Sequence, residues 1–233
     1  MIGIGILIEQ GAGPKAVDAV RRLEAGEAMA AVARTLGLDP TDLIAAIARV
    51  GLGPKDSEGP PLTQIPPDRP ELARAITEPA LATLLPDAPR PARLALAAAL
   101  LQILGAWDAS HAAAQEADDL GERATSAYWH EVAHRREPDP GNALYWARKV
   151  GGHHPAFESL GEAARPLLEA FGDKALAGRL TPGKGWSPAA LIDLCVSARP
   201  GTPTATLARR LQRLEMIALL DVTVAALGLP PED

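Results

Sequence analysis

Residues 90–104 read RPARLALAAALLQIL, and this stretch decides the fold class. It forms a strongly apolar helix, and its alanines permit close helix–helix approach, so it takes the centre of a helical domain. The periodicity on both sides agrees. Toward the C-terminus, Gly105 marks a break before a helix over 107–119. A helix over 122–137 stops at Pro138, and Asp139-Pro140 restarts the chain as an N-cap followed by a first-turn proline. The next helix spans 141–150 and closes at Gly151-Gly152. Residues 155–176 give one helix or a pair, 188–197 opens at Pro188, and 203–228 is a long final helix closed by LGLPP. On the N-terminal side, 71–84 reads as one helix. Nothing after residue 72 shows the Val/Ile/Thr alternation of strands, so residues 73–233 are expected to form a bundle of about six to eight helices.

Residues 53–72 (GPKDSEGPPLTQIPPDRPEL) are dense in proline and polar residues. Pro60-Pro61 and Pro66-Pro67 forbid a regular helix there, which makes the segment a stiff linker and a domain boundary. Before it, residues 1–52 form a small helical unit with helices over about 15–25, 27–35 and 40–50. The apolar run at 2–8 fits either a short strand or a helical turn. The turn LGLDP between two short helices outlines a helix-turn-helix. The helix in the recognition position, however, offers Thr41, Asp42, Ala45 and Ala46, a poor set for reading bases or phosphates. The whole fold class is therefore all-α: a helix-turn-helix-like unit followed by a multi-helix bundle.

Bulk properties narrow the function classes. The 233-residue chain carries a net charge of −6 and a pI near 5.4, which speaks against a nucleic-acid partner. The single cysteine, Cys195, sits in the apolar run LIDLCV and reads as a small buried hydrophobe in a reducing compartment. The first residues lack the pattern of a signal peptide and no run is long enough to span a membrane, so a cytoplasmic location is expected. The apolar N-terminal segment and the alanine-rich surface admit a homodimer.

Chemistry concentrates in residues 105–155, which hold all five histidines, both tyrosines and three of the four tryptophans. Helical spacing sorts these into stripes. Asp108, His111 and Gln115 share one face; His130, His134 and Glu137 share another; Asn142, Tyr145, Trp146 and Lys149 share a third, and His153-His154 follow in a turn. His130 to His134 formally match HExxH, in which two histidines one turn apart bind Zn²⁺ and the adjacent glutamate, here Glu131, acts as base. The third ligand that a zinc peptidase needs has no convincing candidate, since Glu137 is too close and sits just before the helix break. A divalent metal such as zinc, held by some of His111, His130, His134 and Glu137, needs no peptidase chemistry. The bland alternative makes the aromatics core fillers, Asp108 a helix cap, and Arg135, Arg136 and Arg148 solvated charges. No nucleophilic triad and no phosphate-binding loop is present in the sequence.

Two resemblances add to this reading. Residues 21–53 resemble the small helical modules of some prokaryotic antitoxin-type proteins. The segments WDASHAAAQ, YWHEVAHRREPDPGNALYWARKVGGHHPAFESL, GWSPAALIDLCVSAR and LARRLQRLEMIALLD resemble a family of uncharacterised bacterial helical proteins over about residues 88–221. The pattern runs H-R-R-E-x-D-x-x-N-x-x-Y-W, here His134 to Trp146. The resemblance implies no activity, but it implies that Trp186, Asp193, Gln212 and Glu215 join the site, and it shifts weight from Glu131 to His134 and Glu137. Two readings follow. One is an enzyme or small-ligand-binding protein in which His134, Glu137 and Glu215 are catalytic and Asp108, Gln115, Asn142, Tyr145, Trp146, Trp186 and Gln212 bind the ligand. The other is an interaction or regulatory protein in which the aromatic cluster is core or groove.

Overall fold

The computed structural model describes residues 3–11, 13–123 and 125–228 of the chain. Fourteen helices and no strand are present among them. Four N-terminal helices, α1 (Ile4–Gln10), α2 (Pro14–Glu24), α3 (Met29–Leu36) and α4 (Pro40–Leu52), form a group distinct from the bundle. Their boundaries follow local chemistry. Asp39 caps α4 by accepting from the Asp42 amide at 3.1 Å, with Pro40 in the first helical position where a missing N–H costs nothing. Gly37 closes α3 with a left-handed φ of 58°. The apolar run near the N-terminus is thus helical, with Ile4 and Ile8 buried four residues apart; its first residue, Ile2, lies outside the described residues.

The remaining helices are α5 (Pro70–Ala75), α6 (Glu78–Leu84), α7 (Arg90–Ile103), α8 (Trp107–Asp119), α9 (Ser126–Arg136), α10 (Pro140–Val150), α11 (Ala156–Phe171), α12 (Lys174–Leu180), α13 (Pro188–Ser197) and α14 (Pro203–Ala225). The single helix expected over 71–84 is two. Pro79 cannot donate the bond that a continuous helix requires, and Thr77 restarts the chain by capping the Ala80 amide at 3.2 Å. The helix expected to begin at 122 begins at Ser126. Glu122 lies outside it, and its carboxylate accepts from the Thr125 amide at 3.0 Å and the Ser126 amide at 2.5 Å, serving the first free N–H groups of α9. Residues 155–176 divide at Gly172, after which Asp173 caps α12. Leu229 to Pro231, expected to close the last helix, lie outside the described residues.

Every residue of α7 from Leu94 to Ile103 is buried, because the helix is surrounded by α4, α6, α8, α9 and α14. Such all-round burial matches its all-round apolar composition. Where α4 crosses α7 the backbones nearly touch: a Cβ at Gly51 would sit 2.1 Å from the Ile103 carbonyl oxygen, so only glycine fits. The N-terminal group shares one continuous apolar core with the bundle, Leu43 and Ile47 of α4 belonging to the same cluster as Leu96 and Leu100 of α7. The proline-rich segment between them is bound along the bundle as a strap. Arg213 donates to Leu52 O at 3.0 Å, Arg209 to Gly59 O, and Gln212 to Pro60 O and Pro61 O at 3.2 Å each, while the Gln64 amide donates to Arg136 O at 2.7 Å. Prolines leave their carbonyls without neighbouring N–H partners, and these side chains supply the missing donors. No helix among the described residues is long and apolar enough to cross a membrane.

Candidate metal centre

α9 is buried along its whole length, and its turns deliver two different polar clusters to two faces. His130 and His134, one turn apart, stack with ring centroids 5.0 Å apart and planes at 16°. His111 of α8 meets both edge-on, at 4.3 Å from His130 and 5.0 Å from His134. One nitrogen from each of the three imidazoles lies within 4.8 Å of the others, close enough for a single divalent ion. His130 Nε2 and His111 Nε2 are 2.8 Å apart, so one carries the proton that the other accepts.

Aromatic rings hold this cluster in place. Trp107 stacks on His111 at 4.9 Å and donates its indole N–H to Ala133 O at 2.8 Å, which ties α8 to α9. Trp146 of α10 stacks on His130 at 3.8 Å with planes at 15°, and Lys149 lies 4.1 Å over the outer indole face. His134 Nδ1 meets Glu137 Oε2 at 2.9 Å. That contact orients the ring and directs its other nitrogen, as a carboxylate does behind a metal-bound imidazole.

The electrostatics keep His130 and His111 neutral. Burial, aided by His111, His134 and Lys149, pushes His130 down to about 3, and burial with His134 lowers His111. Neutral imidazole is the form that ligates metals. The depressed His130 pKa also predicts an acid sensitivity. The unfolded chain takes up this proton near pH 6.5 and the folded chain only near pH 3. The contribution of His130 is therefore complete above pH 6.5 and is lost as pH falls toward 3. Denaturant titrations of the metal-free wild type and of His130→Phe should show a steeper stability loss in the wild type over that window; parallel curves would refute the assignment.

A second group shares His134. Its nitrogen, a Glu137 oxygen and an Asp139 oxygen also lie within 4.8 Å of one another. Asp139 is already occupied as the N-cap of α10, accepting from the Asn142 amide at 3.0 Å and the Asn142 side chain at 2.7 Å, bonds that hold its carboxyl below the usual range.

The other face of α9 carries Glu131 and Arg135, each one position on from a histidine and so rotated by about 100°. Arg135 Nη1 reaches both Glu131 oxygens, at 3.0 and 3.2 Å, and Nη2 bonds to Glu215 of α14. Glu215 also accepts from the Tyr128 hydroxyl at 2.6 Å and from Trp186 Nε1 at 3.2 Å. The side chains of Glu131, Arg135 and Glu215 are 0% exposed. Two carboxylates share one guanidinium in a dry setting, where burial pushes Glu131 upward against the pull of Arg135. Cys195 is pushed up to about 12 by the same burial, which leaves an unreactive thiol.

The HExxH string thus has converging histidines but a glutamate engaged by Arg135. Arg135 and Arg136 are not the solvated charges of the bland alternative; both are buried, and only Arg148 is exposed. The i,i+4 pairing of Glu131 with Arg135 was the signal for the first of them. His111, His130, His134, Glu137 and Trp146 come together, whereas Glu215 and Trp186 belong to the buried ionic network. Asp108 is exposed in the first turn of α8, and Gln115 donates to Asp119 at 2.9 Å on the same helix. Asn142 is exposed on its cap, and Tyr145 is 49% exposed beside Trp146. Gln212 holds the strap, and Asp193 pairs with Arg179 at 3.2 Å on the surface. The ring of Trp107 was not among the residues singled out, although its one-turn spacing from His111 announces the stack. A groove of about 920 Å³ lies elsewhere, between α1, α11 and α14, without a histidine in its wall. Comparison with family models, with curated proteins and with solved structures finds no match.

Proposed function

We propose that the chain binds one divalent metal ion, zinc by the nature of the donors, through His111, His130 and His134, and uses it on a small ligand or water. The observation that supports this reading is the convergence of three imidazole nitrogens within 4.8 Å, drawn from two helices. All-nitrogen donor sets suit zinc and neighbouring transition metals rather than calcium or magnesium. Three protein ligands leave the fourth tetrahedral position for water or substrate, the arrangement of catalytic rather than structural zinc. Binding through both Nε2 atoms would move the proton that His111 and His130 share to Nδ1 of its own ring, and the ion would lower the pKa of a bound water. Glu137 acts as a positioning residue: its carboxylate fixes the His134 ring. Glu131 has no part in the chemistry, because Arg135 occupies both its oxygens.

Untagged protein titrated with cobalt(II) should develop the intense visible bands of a four-coordinate site at one equivalent, bleached by zinc. Absence of stoichiometric binding for both ions would overturn the reading. Glu137→Gln retains the bulk of the side chain and weakens the acceptor. It should lower zinc affinity by about 10–100-fold, measured by competition with a chromophoric chelator.

A further inference from the structure

α9 ends in two consecutive arginines, and the fold treats their charges differently. Arg135 is neutralised by Glu131 and Glu215. Arg136 is 2% exposed, and no carboxylate of a described residue lies within ion-pair distance of it. Its guanidinium meets only main-chain oxygens: Nε donates to Pro61 O at 3.2 Å and Nη1 to Gln102 O at 2.6 Å. Gln102 lies in the last turn of α7, so the negative end of that helix, worth about half a charge, faces the cation. A net positive charge remains. Of the about five N–H donors of a guanidinium, most are left over. Burial and the neighbouring Arg135 pull the pKa of Arg136 down to about 10, which still leaves it charged at neutral pH.

Arg136 also forms part of the wall of a cavity of about 80 Å³. The strap supplies Pro61 and Ile65 to this wall, and the α7–α8 corner supplies Gly105. The volume holds a few waters or one small oxyanion. Two other charged residues border it. Arg69 is paired with Glu24 at 3.0 Å, and Asp68 is exposed. Ile65, Pro66, Pro67 and Gly105 also border a neighbouring cleft of about 530 Å³ that runs to Trp107 and Asp108.

Holding the strap does not require a buried charge. Gln212 makes the same kind of contact with a neutral amide, to Pro60 O and Pro61 O. An ionised guanidinium is costly to bury unless an anion accompanies it, and its planar fork suits two oxygens of one oxyanion. The geometry points to the cavity at Arg136 as a binding site for a small oxyanion, a carboxylate or a phosphate, with the strap over residues 60–67 as its outer wall. The site is independent of the histidine cluster and of any metal there.

The test titrates the full chain with inorganic phosphate and, separately, with acetate. It follows the Arg136 guanidinium signals by ¹⁵N NMR and the binding heat by calorimetry. The expected result is saturable binding of at least one of them that shifts the Arg136 signals; which of the two binds identifies the source as phosphate or carboxylate. Arg136→Gln keeps a donor for Pro61 O and removes the charge, so binding should be lost. Ile65→Trp puts a larger side chain in the cavity wall while leaving both Arg136 bonds in place, and it should also abolish binding. This second variant decides the matter if Arg136→Gln fails to fold. Binding of neither anion, or binding that survives a folded Arg136→Gln or Ile65→Trp, overturns the proposal.

Discussion

A His130→Phe chain is expected to keep its helical fold and lose the stoichiometric zinc binding proposed for the wild type. His130 is the middle ring of the cluster, 4.3 Å from His111, 5.0 Å from His134 and 3.8 Å from Trp146 by ring centroids. Phenylalanine preserves the stack on Trp146 and removes both nitrogens, so packing changes little while the donor set falls to two. Loss of an outer partner behind a metal ligand costs about 10–100-fold in affinity, and loss of a ligand itself should exceed that. The same change should uncouple stability from metal. A ligand at about 100 times its dissociation constant stabilises the folded state by about 2.7 kcal/mol. Zinc should therefore raise the melting temperature of the wild type and leave that of His130→Phe unchanged. His153→Ala, an exposed histidine in the turn after α10, is the control and should bind as the wild type does. Equal zinc content in His130→Phe and His153→Ala, measured on untagged protein, would sink the proposed centre.

The second large effect falls on stability. Arg135→Met should destabilise the fold by about 3–5 kcal/mol, because it strands Glu131 and Glu215 in the core without their shared cation. Domains of this size are stable by about 5–15 kcal/mol in total, so the variant sits near the edge of folding. The loss should come from the unpaired carboxylates rather than from missing volume. A triple variant, Glu131→Gln with Arg135→Met and Glu215→Gln, removes all three charges at similar volume. It keeps an acceptor for the Tyr128 hydroxyl and the Trp186 indole, and it should recover most of the stability. Denaturant midpoints of the three proteins check this. If the triple variant is as unstable as Arg135→Met, the loss does not come from stranded carboxylates.

The two predictions separate two clusters that adjoin in the sequence. His130 and Glu131 are neighbours in the chain, and so are His134 and Arg135, yet the members of each pair serve different partners. The histidine stripe was legible because a period of about 3.6 residues places positions 130, 134 and 137 on one face whatever surrounds them. The burial of the arginines was not legible because charge is normally solvated, and burial of Arg135 depends on Glu215, which lies 80 positions away. Gln212 was read as part of a ligand site, and its side chain instead reaches the strap across 152 positions. The split of 71–84 at Thr77 and Pro79 was available from local chemistry, as was the glutamate cap ahead of α9.

The sequence by itself determined the all-helical class, most helix boundaries and the segment where imidazole and indole side chains gather. These follow from periodicity, caps and proline or glycine punctuation, all of which act within a few residues. Only the tertiary structure decided which stripe faces which. It brought His111 across to His130 and His134, and it turned Glu131 away to Arg135 and Glu215. It also left Arg136 beside a cavity with no ion-pair partner among the described residues. Helical spacing specifies the face of a helix, but the partner of that face is set by how distant helices pack, which no local pattern encodes.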